Sequence, residues 1–391
     1  MNAKFVGVLA LVVGHCVTDM QTGALPIALP FLKEMFSLNY TQMAIIVLTQ
    51  NVMTSVIQPV FGYITDKKSL PHFLSWCAAL GGAGFALVGY STSYTMLLGA
   101  VIIVGLASAT YHPQASKTCN LLSDSTNKAS NMGLFSVGGN AGMALGSFMM
   151  TYLAVQEGGL HNCIYFIIPG IIAFGVLQYA MPELKRVNNE YVKKNAAKEN
   201  SGAGMSISYI SIFFMLLYIF LRSTVHSSVH TYLPIYFMKF RGFDTVTAST
   251  LVSIFLLSGV LGTYCGARLS DKLGPRKIIV GSILLSSLPI GFVPHATAPW
   301  AAMLAVSLAG FFIISSFATT VVVVQTMMPN NVGMASGLTI GFSIGMAGFG
   351  VTTLGYLADT YGLPIVLKSI CILPILAALI ASRIPMPKEI K

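Results

Sequence analysis

Of the 391 residues, 55% are hydrophobic and only 9% are charged, against about 25% charged residues in ordinary soluble domains. A chain this apolar belongs in a lipid bilayer, which excludes a soluble globular enzyme. The net charge of +10 then has to be read as a topology signal, and no nucleic-acid partner is needed to explain it.

A crossing needs about 20 apolar residues, and twelve runs meet that need: 5–31, 41–64, 71–90, 94–118, 129–153, 161–181, 207–238, 245–268, 278–295, 299–326, 332–357 and 362–384. The first is longer than a secretory h-region, lacks an A-x-A cleavage pattern and is followed by similar runs. It is therefore not read as a removed signal peptide, and the mature chain is expected to begin near Met1. With the N-terminus inside, the cytoplasmic segments collect Lys4, Lys67, Lys68, Lys117, Lys128, Lys185, Arg186, Lys193, Lys194, Lys198, Arg268, Lys272, Arg276, Lys277, Arg383, Lys388 and Lys391, which is 17 of the 22 basic residues. Shifting the frame by one span inverts that bias. Both termini are thus expected in the cytoplasm and the protein in the cell (inner) membrane.

Cys16, Cys77, Cys119, Cys163, Cys265 and Cys371 lie in or beside apolar runs without C-x-x-C spacing, which points to buried thiols rather than disulfides or zinc. One long polar stretch, PELKRVNNEYVKKNAAKENSGAG, separates the sixth and seventh runs. It reads as a cytoplasmic linker (183–206) between an N-terminal six-helix bundle (1–182) and a C-terminal one (207–391).

The halves repeat. GYITDKK (62–68) follows the second run and ARLSDKLGPRK (267–277) the eighth, so Asp66 and Asp271 stand in equivalent loops; LPI recurs at 25–27 and 233–235. Gly138, Gly142 and Gly146, and again Gly333, Gly337, Gly341 and Gly345, recur every fourth residue, lining one helix face where a neighbouring backbone can approach. Two parallel six-helix halves are the arrangement of a rocking transporter with a central site.

The loop pattern, Gly-x-x-x-Asp-(Arg/Lys)-x-Gly-x-(Arg/Lys), resembles motif A of the major facilitator superfamily. It is better kept in the second copy (Asp271, Lys272, Gly274, Arg276, Lys277) than in the first (Asp66, Lys67), where Ser69 replaces the glycine. The resemblance implies the all-α major facilitator fold of twelve transmembrane helices in two pseudo-symmetric bundles, with these residues gating the cytoplasmic side. Either aspartate can accept hydrogen bonds from a neighbouring helix N-terminus; plain positive-inside anchoring is the simpler reading of Lys67 and Lys68.

GHCVTDM, QPVFGYITDK, YHPQASK, FSVGGNAGMALGS and MPNNVGMASGLTIGFSIGMAGFG together resemble the fosmidomycin resistance group of efflux proteins, through both halves of the chain. That resemblance implies proton-driven export of small drugs by a monomer, with no cofactor. Two departures bear on coupling: Gln114 follows His-Pro where the group has an acid, and Met327 and Gln325 stand near the end of the tenth run where another acid is expected.

Asp19 lies well inside the first run, where an ionised side chain costs at least about 2.5–3.5 kcal/mol and normally faces a bundle interior or wet cavity. Arg222 occupies the corresponding place in the seventh run, so opposite charges sit at pseudo-symmetric positions. They read either as a structural ion pair or as a site where Asp19 takes a proton and Arg222 an anionic substrate. Histidines are rival proton carriers: His112 before Pro113, His15 one turn before Asp19, and His226 and His230 beyond Arg222. Lys117 can attract an anion at the inner mouth, Gln114 and Asn140 can offer hydrogen bonds, and Tyr111 can join Tyr218, Tyr232, Tyr236 and Phe135 in an aromatic cavity wall. His226-x-x-x-His230 has metal-ligand spacing, but Ser227 stands where H-E-x-x-H needs Glu, and no phosphate-binding Gly-rich loop is present. An enzyme is not expected. The alternative is an importer or exporter of an endogenous metabolite or metallophore on the same fold.

Overall fold

The computed structural model describes residues 3–200 and 209–386. Met1, Lys388, Lys391, the side chain of Lys198 and the 201–206 part of the expected linker lie outside the described residues. Among the described residues the regular structure is helical throughout: α1 (Ala3–Phe36), α2 (Tyr40–Lys67), α3 (His72–Gly89), α4 (Tyr94–Leu122), α5 (Lys128–Ala154), α6 (Ile167–Asn200), α7 (Tyr209–Arg241), α8 (Thr245–Leu273), α9 (Pro275–Phe292), α10 (Pro299–Ser315), α11 (Phe317–Met327), α12 (Val332–Tyr361), α13 (Leu363–Ser369) and α14 (Ile372–Arg383).

These fourteen helices make the twelve expected crossings. Helices α10 and α11 break only at Ser316 and form one span, Pro299–Met327, and α13 with α14 forms another, Leu363–Arg383. Eleven spans among the described residues are long and apolar enough to cross a membrane by hydropathy. The twelfth is α5, whose 27 residues reach about 40 Å at ~1.5 Å per residue; its glycines, serines and Asn140 lower its hydropathy without shortening it.

Start signals follow from local chemistry. Asn39 and Gln42 form a capping box at α2, Asn39 Oδ1 accepting from the Gln42 amide at 2.9 Å and Gln42 Oε1 from the Asn39 amide at 3.0 Å. Ser93 caps α4 and Asp244 caps α8. Hydrogen bonds from Thr247 hold the Asp244 carboxyl below the usual range. Gly274 joins α8 to α9 at φ 89°, a left-handed backbone that favours glycine. In the first half the chain leaves α2 through Lys68 in an extended conformation (φ −127°), and Ser69 needs no positive φ, which explains why the motif glycine is dispensable there.

Two differences from the expected elements stand out. Asp66 and Asp271 occupy the last turns of α2 and α8 rather than loops. The stretch read as a linker continues α6 as helix to Asn200; its Lys, Glu and Ala residues favour helix, and Arg186 bridges Glu183 at 2.6 Å and Glu190 at 2.8 Å along one face.

Contacts divide the chain into two compact units: Met1–Asp124, Leu134–Met205 and Met328–Gly341 in the first; Ser125–Gly133, Ser206–Met327 and Phe342–Lys391 in the second. Helices α5 and α12 therefore each contribute to both. Within the first unit α4 packs on α2 and α3, and α6 on α1 and α3; within the second α10 packs on α8 and α9, and α14 on α7 and α9. The internal repeat seen in sequence thus reappears as one packing plan used twice. All six cysteines are unpaired, with Cys77, Cys119 and Cys163 buried and the other three half-buried.

Glycine sets the closest approaches in the first unit. Any Cβ at Gly138, Gly142 or Gly146 of α5 would overlap the carbonyls of Val12, Cys16 or Met20 of α1, and one at Gly337 would overlap Gln58 of α2. By contrast, Gly175 of α6 faces open space. Gly146→Val is expected to destabilise the protein by about 1–3 kcal/mol through overpacking, whereas Gly175→Ala is neutral or stabilising by up to about 1 kcal/mol. Thermal unfolding monitored by gel filtration tests the pair, and equal melting of both variants contradicts the packing assignment.

Candidate functional site

Asp19 lies midway along α1 and is buried. Each of its oxygens faces an imidazole: His15 Nε2, one turn earlier on α1, is 3.2 Å from Oδ2, and His112 Nε2, on α4, is 3.1 Å from Oδ1. The far side of each ring is also held. His15 Nδ1 lies 2.7 Å from the Phe135 carbonyl of α5, and His112 Nδ1 lies 2.7 Å from the Ser108 carbonyl and 3.2 Å from its hydroxyl. The His15 ring stacks on Phe135 with centroids 4.0 Å apart and meets the His112 ring edge-on at 4.9 Å.

This geometry fixes where protons must be. A carbonyl only accepts, so both Nδ1 atoms carry hydrogen. Each Nε2···Oδ contact then needs one more proton between nitrogen and oxygen. Two protons there would satisfy both contacts, giving a net charge of +1 whether both sit on imidazoles or one sits on Asp19. Gly139 of α5 makes the space: a Cβ there would lie 2.5 Å from His15 Nε2 and 2.8 Å from Asp19 Oδ2.

Arg222 is buried on α7 in the second unit. Its guanidinium lies 5.0 Å over the Phe317 ring, and its Nε has no hydrogen-bond partner among the described residues. Beside it, Tyr218 Oη and Ser316 Oγ are 2.7 Å apart; elsewhere in the second unit the buried hydroxyls of Thr224 and Thr319 are also without partners among the described residues. A buried guanidinium with donors to spare, next to a small set of hydroxyls, is chemically suited to an oxyanion. His226, half-buried, lies 5.3 Å from the Phe255 ring, and His230 one turn on is exposed. Asn140 is half-buried on α5.

Other sequence candidates have structural attachments. Tyr111 donates to the Leu11 carbonyl at 2.7 Å, tying α4 to α1. Tyr232 and Tyr236 donate to the carbonyls of Val351 and Pro294 at 2.8 and 2.7 Å. Gln114 donates to Asn188 Oδ1 at 3.1 Å, and Asn188 in turn donates to Thr118 at 3.0 Å, so the residue standing where an acid was expected joins a buried amide network between α4 and α6.

Lys117 is fully buried in the motif cluster. Its Nζ donates to the Thr65 carbonyl at 2.5 Å, stands 4.0 Å from Asp66 Oδ1 and lies 5.5 Å from the centre of the Tyr191 ring. Asp66 accepts from the backbone amides of Gly333 at 2.8 Å and Met334 at 2.9 Å, the first turn of α12. Asp271 does the same at α5, accepting from Ala129 at 3.0 Å and Ser130 at 2.8 Å. Lys67 lies 5.9 Å from the centre of the Tyr63 ring, Lys272 is exposed, and Arg276 donates to the Ile384 carbonyl at 2.6 Å.

A repeated all-helical bundle with a polar centre buried at mid-span defines a multi-pass membrane protein of the transporter type. The description Major Facilitator Superfamily matches residues 11–350, and the chain belongs to that family. It is a transporter and not an enzyme. The chain is 29% identical over 374 residues to the fosmidomycin resistance protein of Escherichia coli (strain K12), covering 95% of this chain and 90% of that protein. It is also 29% identical over 380 residues to YfnC, an uncharacterized MFS-type transporter of Bacillus subtilis (strain 168), covering 96% and 92%. Among solved structures, the E. coli fucose:proton symporter FucP aligns with TM-score 0.75 at 14% identity over 97% of this chain and 98% of that one. The proton:xylose symporter XylE aligns with TM-score 0.76 at 13% identity over 99% and 97%. At these identities the two structures bear on the fold alone.

Removing Asp66 leaves Lys117 buried without its acid and two helix-start amides without an acceptor. Asp66→Ala is expected to cost roughly 3–5 kcal/mol, the size found when one partner of a buried pair is deleted. Chemical unfolding in bicelles measures it, and a loss below about 1 kcal/mol contradicts the assignment.

Proposed function

We propose that this protein is a proton-coupled exporter of small anionic or amphiphilic compounds, acting by alternating access. The observation that carries the reading is the His15–Asp19–His112 centre, which needs two protons to keep its contacts and joins two helices, α1 and α4. Losing a proton sets a nitrogen lone pair against a carboxylate oxygen, so α1 and α4 no longer hold together as before. Proton occupancy thereby biases the conformation, which is what coupling requires.

Arg222 is the substrate-side counterpart. Its unpaired Nε beside the hydroxyls of Tyr218 and Ser316 gives an oxyanion several donors, and the partners proposed for it include phosphonates of the fosmidomycin kind, by analogy with the named relative. His226 and His230, one and two turns beyond Arg222 on α7, extend that polar lining. Asp66 with Lys67 and Lys117, and Asp271 with Lys272 and Arg276, form the cytoplasmic gate, each aspartate holding or releasing a helix start. The bias of basic residues supports a reading with both termini in the cytoplasm of an inner membrane, residues 1–182 and 207–391 as the two halves of a monomer and 183–206 joining them. One pH unit supplies about 1.4 kcal/mol per proton, and 100 mV about 2.3 kcal/mol per charge, enough to drive a several-hundredfold gradient.

The test is flux in proteoliposomes with an imposed pH gradient, using fosmidomycin and a panel of organic anions. Wild-type flux is expected to follow the gradient, Asp19→Asn to lose that dependence, and Arg222→Gln to raise KM by about tenfold or more for anions while pH dependence persists. Undiminished gradient dependence in Asp19→Asn assigns coupling elsewhere, and uptake against the expected direction makes the protein an importer.

A further inference from the structure

The centre at mid-span has a second chemical capability that stands on geometry and does not require the transport reading. His15, Asp19 and His112 are all buried, and their ligating atoms lie within 4.8 Å of one another. The two nitrogen–oxygen separations, 3.2 Å to Oδ2 and 3.1 Å to Oδ1, run to the two oxygens of one carboxylate, and each is close to the roughly 3.3 Å ligand–ligand separation around a metal with bonds of ~2.0–2.1 Å. Both outer Nδ1 atoms are anchored on backbone carbonyls, the supporting arrangement that orients a metal-ligating imidazole and turns its Nε2 toward the ion. Gly139 keeps the opposite wall open, since a Cβ there would strike both His15 and Asp19.

We propose that His15 Nε2, His112 Nε2 and the Asp19 carboxylate form a binding site for one divalent d-block cation of the zinc class. Two imidazoles and one carboxylate suit zinc, cobalt or nickel and disfavour magnesium and calcium, which select oxygen. Charge is compatible with the exchange: with a proton in each nitrogen–oxygen contact the metal-free centre would carry +1, and a dication on two neutral imidazoles and one carboxylate also gives +1. Three protein ligands leave a further position for water or an oxygen donor, as in sites that are not purely structural. Within the first unit the other titratable groups facing Asp19 are Cys16 on α1 and Tyr111 on α4; α5 brings Phe135 and Gly139. Tyr111 is committed to the Leu11 carbonyl.

The experiment uses the full-length protein in lipid nanodiscs. Zinc chloride is titrated calorimetrically in buffers of different ionisation enthalpy, and cobalt chloride is followed by visible absorption. The proposal predicts one zinc per chain, proton release on binding, affinity falling by more than about tenfold per unit of acidification, and cobalt bands of low-coordinate intensity. Asp19→Asn, His112→Gln and Gly139→Ala are each expected to weaken binding by about tenfold or more, while His161→Gln, at an exposed histidine, leaves it unchanged. Gel filtration qualifies every variant, and the wild-type stoichiometry, proton release and cobalt spectrum stand without any variant. Absence of stoichiometric binding, or binding that survives all three substitutions, overturns the proposal. Proton-driven flux in a protein that takes up no zinc overturns it alone, whereas zinc binding in a protein whose flux ignores pH supports it and removes the coupling reading.

Discussion

A carboxylate halfway along a membrane-spanning helix has no bulk water to satisfy it, and the first unit is built around that constraint. Asp19 can stay there because His15 comes from its own helix and His112 from another, and because the His15 ring is pinned on a carbonyl of α5 and the His112 ring on the Ser108 carbonyl of its own helix. The His15 attachment requires α5 to lie against α1 with almost no side chain between them. The glycines at 138, 139, 142 and 146 meet that requirement. Packing and chemistry are therefore one arrangement: the close helix approach exists where the polar centre needs a wall without a Cβ.

The motif aspartates answer a different electrostatic problem in the same way. Asp66 and Asp271 end their own helices, where the macrodipole disfavours a negative charge. Each is offset by the free amides at the start of a distant helix, α12 for Asp66 and α5 for Asp271. Charge-assisted hydrogen bonds of this type are worth about 1.5–3 kcal/mol, strong enough to hold a conformation and weak enough to be exchanged during a cycle. Lys117 belongs to this balance, since it stands near Asp66 and is committed to the Thr65 carbonyl.

Much of the architecture could be read directly. Twelve apolar runs correspond to twelve crossings because bilayer thickness leaves few other solutions, and the repeated loop motifs correspond to a repeated packing plan. The helical continuation of α6 was also written in its Lys, Glu and Ala residues, although its polarity pointed to a linker. The site was only partly legible. His15 and Asp19 are one turn apart on one helix, so their meeting follows from the helical period. His112 is different: α4 carries apolar residues all round, and a helix without a clear polar face gives no rotational setting. The sequence therefore offered Arg222, by internal symmetry, as the partner of Asp19, while the contacts found for Asp19 are histidines of its own unit. Lys117, Gln114 and Tyr111 were read as cavity residues for the same reason, because a polar side chain in an apolar run announces burial but not its partner.

The central claim is that Asp19 is held by two imidazoles whose Nδ1 atoms donate to carbonyls and whose Nε2 atoms face the carboxylate. Nitrogen-15 NMR of histidine-labelled protein in lipid, with His15 and His112 assigned by single substitution, measures that arrangement directly. The account predicts that both residues keep a protonated Nδ1 across the accessible pH range and that both Nε2 resonances respond to Asp19→Asn. Resonances of an unprotonated Nδ1 on either residue, or Nε2 signals indifferent to loss of the carboxylate, would contradict it.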